Sequence, residues 1–126
     1  MGMDISCFRV SDRPLIPVTV IDPNTGVTVD VEALIDTGFS GFLLVPQPIY
    51  DKISSLEIDT SRFYLTLNGL IKTKVAKVDV KIGSLILKGF AETPIFGRGL
   101  TLIGREMLKK LNVEFKKGEE ICVRDP

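Results

Sequence analysis

The stretch Ala33-Leu34-Ile35-Asp36-Thr37-Gly38-Phe39-Ser40-Gly41 places one carboxylate between an apolar run and a glycine-rich turn. Upstream, apolar and polar residues alternate back to Val27, which is the pattern of a half-buried strand. Small, turn-forming residues follow Asp36, so its carboxylate is predicted at a strand end, where loop N–H groups can donate to it and Gly38 allows close backbone approach. The same tripeptide is typical of a plain β-turn. The rest of the chain must decide whether Asp36 is a candidate catalytic carboxylate in a cleft or only a turn residue that caps its own backbone.

Composition favours one soluble globular domain that spans residues 1–126. Sixteen basic residues balance sixteen acidic ones, which removes the long-range attraction to nucleic acid or to an anionic membrane that an excess of Lys and Arg would give. The apolar runs are far shorter than the roughly 18 residues that a membrane span requires. We therefore expect a cytoplasmic protein with neither nucleic acid nor membrane as a partner.

The chain contains no histidine. This excludes Ser-His and Cys-His nucleophile pairs and every zinc site that needs imidazole, and it leaves carboxylates as the leading candidates for chemistry. Cys7 and Cys122 are too few and too far apart for a disulfide framework, so we expect free thiols. A bridge between them becomes possible if the chain ends share a sheet.

The first half of the chain is predicted to be mainly strand. Leu15 to Ile21 and Val27 to Ile35 are rich in β-branched residues and flank the polar segment 22–26, which predicts a hairpin. Phe42 to Val45 is a short apolar strand. Pro48 to about Ser54 is predicted to be a short surface helix outside the core.

A second hairpin is predicted from Phe63 to Val75, with Asn68-Gly69 as a tight turn. The apolar phase then slips from odd to even positions, which predicts a bulge or bend near Ala76-Lys77. Gly83-Ser84 turns the chain into a further strand, Leu85 to Ala91.

The last part of the chain contains a short buried strand, Leu100 to Gly104. Arg105 to Leu111 has helical spacing, and Asn112 is expected to close that helix in the left-handed region. Val113 to Phe115 and Glu120 to Val123 are predicted strands. The predicted fold class is therefore mostly β.

Three features in this order resemble the retroviral-type (retropepsin-like) aspartic proteases, and the Asp-Thr-Gly-Phe-Ser-Gly version resembles the small prokaryotic members. They are the Ala33 to Gly41 stretch, the hairpin with Asn68-Gly69, and Leu102-Ile103-Gly104 before a helix. The resemblance implies a closed acid-protease β-barrel with a flap hairpin and a C-terminal helix.

The resemblance also implies a role for each matching residue. It makes Asp36 the catalytic residue, with Thr37 and Gly38 supporting its loop. The flap and substrate-binding residues would be Asn68, Gly69 and Leu70, and the segment that supports the loop would be Leu102, Ile103 and Gly104. One departure is Ser40, which stands where retroviral enzymes carry an acid, so their pairing of that acid with the arginine after the glycine does not transfer to Arg105.

The implied chemistry needs two carboxylates, one to accept a proton from water and one to donate a proton to the substrate carbonyl. The chain has one Asp-Thr-Gly and no internal repeat. The expected enzyme is therefore a homodimeric aspartic endopeptidase, acting on peptide or protein substrates with Asp36 from each subunit and with no metal or cofactor. The alternative is a non-catalytic peptide-binding or dimerisation module on the same fold.

Overall fold

The computed structural model describes residues 5–67, 69–95 and 100–126. Within these residues the fold is mostly β, as predicted, with ten strands and two short helices. The elements are β1 Ile5–Arg9, β2 Leu15–Ile21, β3 Thr28–Ile35, β4 Leu43–Leu44, α1 Gln47–Ile53, β5 Arg62–Thr66, β6 Gly69–Ile82, β7 Leu85–Pro94, β8 Leu102–Ile103, α2 Arg105–Leu108, β9 Asn112–Lys116 and β10 Glu120–Arg124. The helices of the described chain, with seven and four residues, are too short to cross a bilayer.

A seven-stranded sheet carries most of the core, in the order β2-β3-β8-β4-β7-β6-β5. The predicted first hairpin is confirmed, because β2 and β3 pair antiparallel from Leu15–Leu34 to Ile21–Thr28. Strand β2 also pairs with β6 at Val20–Val80, so the sheet curves back on itself. Val20 and Val80 are fully buried in the core that this curvature encloses.

The chain ends form a second, three-stranded sheet in the order β1-β10-β9. Cys7 lies directly opposite Cys122 in the β1–β10 ladder, and the two sulfurs form a disulfide. The expectation of free thiols is therefore wrong. Spacing along the sequence separates these residues by 115 positions, whereas antiparallel pairing of the ends brings their Cα atoms within disulfide range.

The predicted bulge near Ala76-Lys77 is also wrong. Strand β6 pairs with β7 without interruption from Thr73–Pro94 to Ile82–Leu85. The apolar phase changes because Thr73, Val75 and Ala76 are all buried, so this part of β6 is covered on both faces, while Lys77 beyond it is exposed. The shift in apolar phase therefore comes from a change in what covers the strand and does not require a bulge in its backbone.

Both helices depart from their predictions. Helix α1 is present but belongs to the core, because Tyr50 and Ile53 are almost completely buried. Helix α2 ends at Leu108, before the predicted Leu111. Asn112 does not adopt the left-handed conformation expected of a helix-closing residue; it begins β9, where it pairs with Arg124.

Candidate active site

Asp36 follows directly on β3, and its position is fixed by β8 alongside. The two strands run parallel, with Leu34 opposite Leu102 and Ile35 opposite Ile103. The backbone N–H of Asp36 donates to the carbonyl of Ile103 at 2.9 Å. The structure therefore brings Leu102 and Ile103 next to the strand end that carries the carboxylate.

The loop after Asp36 folds back onto its carboxylate. The N–H of Gly38 donates to Asp36 Oδ1 at 2.9 Å, and the N–H of Phe39 donates to the Asp36 carbonyl at 3.2 Å. A Cβ atom on Gly38 would lie 3.1 Å from that same Oδ1, which is a tight contact. One carboxylate oxygen is thus held by the loop. The side chain remains partly exposed, while Thr37 is exposed.

The segment that begins at Gly104 also contacts the Asp36 loop, through its backbone. Three successive N–H groups, those of Gly104, Arg105 and Glu106, donate to loop carbonyls at 3.0, 2.8 and 3.1 Å. The acceptors are Phe42, Phe39 and Gly41 respectively. Gly104 is required by space, since a Cβ atom there would lie 2.2 Å from the Gly41 carbonyl oxygen.

Asp36 opens into a cleft of about 550 Å³. Most of the residues that line it come from the Asp36 loop, β8 and α2 and from the β5–β6 hairpin. The lining residues are Asp36, Gly38, Phe39, Ser40, Leu44, Phe63, Tyr64, Leu65, Thr66, Ile71, Pro94, Leu102 and Arg105. A cleft of this size, lined by both apolar and polar groups, can hold several residues of an extended peptide.

The β5–β6 hairpin was predicted from Asn68-Gly69, and the structure pairs Thr66 with Gly69. Gly69, at φ +105°, already belongs to β6, and Thr66 Oγ1 donates to its carbonyl at 2.9 Å. Leu67 and Leu70 at this end are strongly exposed. Asn68 lies outside the described residues, so its predicted role stays a prediction.

Sequence reasoning missed a polar cluster beneath the cleft, centred on Glu92. This side chain is completely buried, and it accepts hydrogen bonds from Tyr64 and Thr73 and an ion pair from Arg62. Burial and the hydrogen bond to Glu92 raise the pKa of Tyr64 to about 12, so its hydroxyl stays a donor at neutral pH. A single acidic residue inside the apolar run of β7 was the signal that could have indicated it.

Among the described residues, one group of potential metal ligands lies together: Cys7, Glu120 and Cys122. Both sulfurs are consumed by the disulfide and are not thiolates, the form that binds metal. This group lies on the terminal sheet, apart from the Asp36 cleft.

Comparison with known proteins supports the fold. No family model and no curated protein matches the chain. The similar solved structures include a retropepsin-like aspartic protease from Rickettsia conorii, with a TM-score of 0.64, 12% identity and coverage of 99% of this chain and 95% of that one. They also include EIAV protease complexed with an inhibitor, with a TM-score of 0.55, 18% identity and coverage of 81% of this chain and 90% of that one. At these identities the likeness establishes that the chain has the fold of the retropepsin-like aspartic proteases.

Proposed function

We propose that this chain is an aspartic endopeptidase that acts as a homodimer and hydrolyses peptide bonds with a water activated between two Asp36 carboxylates. One observation carries the proposal: the only Asp-Thr-Gly of the chain follows directly on the half-buried strand β3, and its Asp36 lines a peptide-sized cleft. The likeness of the fold to solved retropepsin-like proteases supports the same activity.

A second Asp36 is needed because one carboxylate cannot both accept the proton of water and protonate the substrate carbonyl. The two-fold axis of a homodimer supplies it. Two adjacent carboxylates cannot both ionise cheaply, so they would share one proton, as in aspartic proteases generally. The Gly38 N–H that contacts Oδ1 would hold each carboxylate in place for this sharing.

The remaining residues take roles around this pair. Thr37, exposed beside Asp36, would hydrogen-bond across to the partner loop and keep the two carboxylates coplanar. The end of the β5–β6 hairpin, with Asn68, Gly69 and Leu70, would close over the bound peptide as a flap and exclude water. We further infer that the curved sheet is the closed barrel of this class, in its small prokaryotic form.

The proposal is tested by comparing Asp36→Asn with the wild type on a mixed peptide library. The substitution keeps the size of the side chain and removes the carboxylate, so we expect cleavage to fall by a factor of about 10³ or more. Asp30→Asn is the matched control. Asp30 is an exposed aspartate on β3, the strand that leads into Asp36, and it accepts a hydrogen bond from Thr19. Equal cleavage by wild type and Asp36→Asn would overturn the mechanism.

A mixing experiment tests the shared site. When wild type and Asp36→Asn exchange subunits in equal amounts, about one quarter of the dimers carry two aspartates. Total cleavage should therefore fall to about half of that given by the same wild type mixed with buffer in place of the variant, because half of the wild-type dimers are lost to mixed dimers. Asp30→Asn added in place of Asp36→Asn should cause no such fall, since every dimer then keeps both copies of Asp36. Undiminished cleavage after exchange with Asp36→Asn would show that one chain suffices.

The rival hypothesis is a peptide-binding or dimerisation module without catalysis. It predicts that wild type binds extended peptides without cleaving them from acidic to neutral pH. It also predicts that a hydroxyethylene mimic of the transition state binds no tighter than a plain peptide, whereas the enzyme binds such mimics about 10² times tighter or more. Sedimentation at the working concentration measures the oligomeric state of the chain, and the endopeptidase requires a dimer.

The disulfide bears on the compartment. A cytoplasmic location follows from the sequence expectations, but a Cys7–Cys122 bridge is the state favoured by an oxidising compartment. Thiol labelling of freshly extracted protein decides between them, since a cytoplasmic chain would label at both cysteines.

A further inference from the structure

A buried carboxylate under the cleft has no part in the proposed chemistry. Glu92 lies on β7 and is completely shielded from solvent. Burying a carboxylate costs several kcal/mol unless donors surround it. A buried carboxylate whose hydrogen bonds are satisfied fixes the positions of the side chains that bind it. The partners of Glu92 therefore indicate its role.

The first partner is a side chain of the cleft wall. Tyr64 donates its hydroxyl to the Glu92 carboxylate, at 2.8 and 2.7 Å from the two oxygens. The ring of Tyr64 contacts the ring of Phe39, with centroids 5.4 Å apart and planes tilted by 57°. Tyr64 therefore bridges the hairpin strand β5 and the loop that begins at Asp36.

Gly41 makes room for this bridge. A Cβ atom at Gly41 would lie 2.6 Å from Glu92 Oε2, 2.9 Å from the Tyr64 hydroxyl and 2.5 Å from the Phe39 ring. The loop backbone thus packs directly on the hydrogen bond between Tyr64 and Glu92.

A second partner extends the cluster to helix α2. Arg62, two residues before Tyr64, places Nη1 3.5 Å from Glu92 and 3.1 Å from Glu106. Thr73 on β6 donates to Glu92 Oε1 at 2.7 Å. Both strands at the base of the hairpin therefore contact one buried carboxylate, and Arg62 links this cluster to α2.

From these contacts we propose that Glu92 is a positioning residue, which holds Tyr64 and the base of the β5–β6 hairpin at a fixed distance from the Asp36 loop and so sets the width of the substrate cleft. The substrate consequence rests on the proposed function. Because the Tyr64 hydroxyl is turned into the protein, its ring faces the cleft together with Leu44, Ile71 and Leu102.

Hydrogen exchange tests the anchoring without any need for activity. Tyr64→Phe keeps the ring and removes the hydroxyl, so amides of residues 62–66 should exchange about tenfold faster or more, the factor that corresponds to one hydrogen bond to a charged group. Tyr50→Phe is a matched control, because the hydroxyl of Tyr50, a residue of α1, also donates to a carboxylate, that of Glu57 at 2.7 Å. It removes a hydrogen bond of the same kind that does not involve residues 62–66.

Glu92→Gln is the second variant. It preserves volume and one acceptor oxygen but removes the charge that faces Arg62, so exchange in residues 62–66 should lie between those of wild type and Tyr64→Phe. Amides of the β2–β3 hairpin serve as the internal reference for intact folding. If residues 62–66 respond to Tyr64→Phe no more than to Tyr50→Phe, the anchoring is refuted.

The kinetic consequence is measured on a peptide that wild type cleaves. Tyr64→Phe should raise KM about tenfold while kcat changes by less than about threefold, because the hydroxyl positions the wall of the cleft that binds substrate and does not touch reacting atoms. A fall in kcat with unchanged KM would overturn the positioning role. If wild type cleaves no peptide, the proposed function fails, and the exchange comparison still decides whether Glu92 anchors the hairpin.

Discussion

Gly104→Ala offers a sharp test of how the site is assembled. The added Cβ would lie 2.2 Å from the Gly41 carbonyl oxygen and 2.8 Å from that of Phe39. Ordinary contacts of this kind need more than about 3.2 Å, so backbone on both sides must separate by about 1 Å. The φ angle of Gly104 is −101°, which any residue adopts, so the effect is purely one of space.

The magnitude follows from what the separation breaks. Three hydrogen bonds, donated by residues 104, 105 and 106 to the loop, are worth about 1 kcal/mol each. Overpacking against backbone adds about 1–3 kcal/mol. We therefore expect Gly104→Ala to lower the free energy of unfolding by about 4–6 kcal/mol, a large part of the ~5–15 kcal/mol typical of a domain.

The assay is urea unfolding followed by circular dichroism. Gly26→Ala is the control, because Gly26 has φ +78° and a Cβ atom added there would meet nothing within 4 Å. It should cost only the conformational penalty of about 1–2 kcal/mol. If Gly104→Ala costs no more than Gly26→Ala, the close packing of this segment on the Asp36 loop is refuted.

Two further predictions concern stability. Burial alone would raise the pKa of Asp22, but hydrogen bonds from Ser55, Asn24 and Thr25 outweigh it and lower the pKa. The carboxylate therefore adds stability that is present above its unfolded pKa of about 4 and is lost as pH falls through the folded pKa. When the urea midpoint is plotted against pH, Asp22→Asn should reduce its fall at acidic pH. An unchanged fall would contradict this. Reduction of the Cys7–Cys122 bridge, which joins residues 115 positions apart, should lower the free energy of unfolding by about 4–5 kcal/mol in the chain-entropy model; an unchanged urea midpoint in dithiothreitol would contradict it.

Local patterns predicted the elements whose partners lie close in sequence. The β2–β3 hairpin forms as expected because alternation in β3 and the polar turn at Asp22 act within one segment. Most of the β5–β6 hairpin follows for the same reason, although Gly69 joins the strand. The placement of Leu102 and Ile103 beside β3 needed the family resemblance, since no local pattern pairs two segments so far apart in the chain.

Long-range pairing decided what the sequence left open. Asn112 joins β9 because β10 offers it a partner strand, and this outweighs its suitability for ending a helix. Cys7 meets Cys122 only through the register of β1 with β10. Glu92 follows directly on the predicted strand Leu85 to Ala91, and its role depends on Tyr64 and Arg62, which reach it from another element.

The proposed mechanism requires two copies of Asp36 to form one catalytic pair. The distance between the two Asp36 carboxylates in a crystal structure of the homodimer measures this pairing. We predict that the nearest oxygens lie about 3 Å apart, close enough to share a proton. A dimer that holds them more than about 6 Å apart, beyond the range in which two carboxylates couple strongly, would contradict the account.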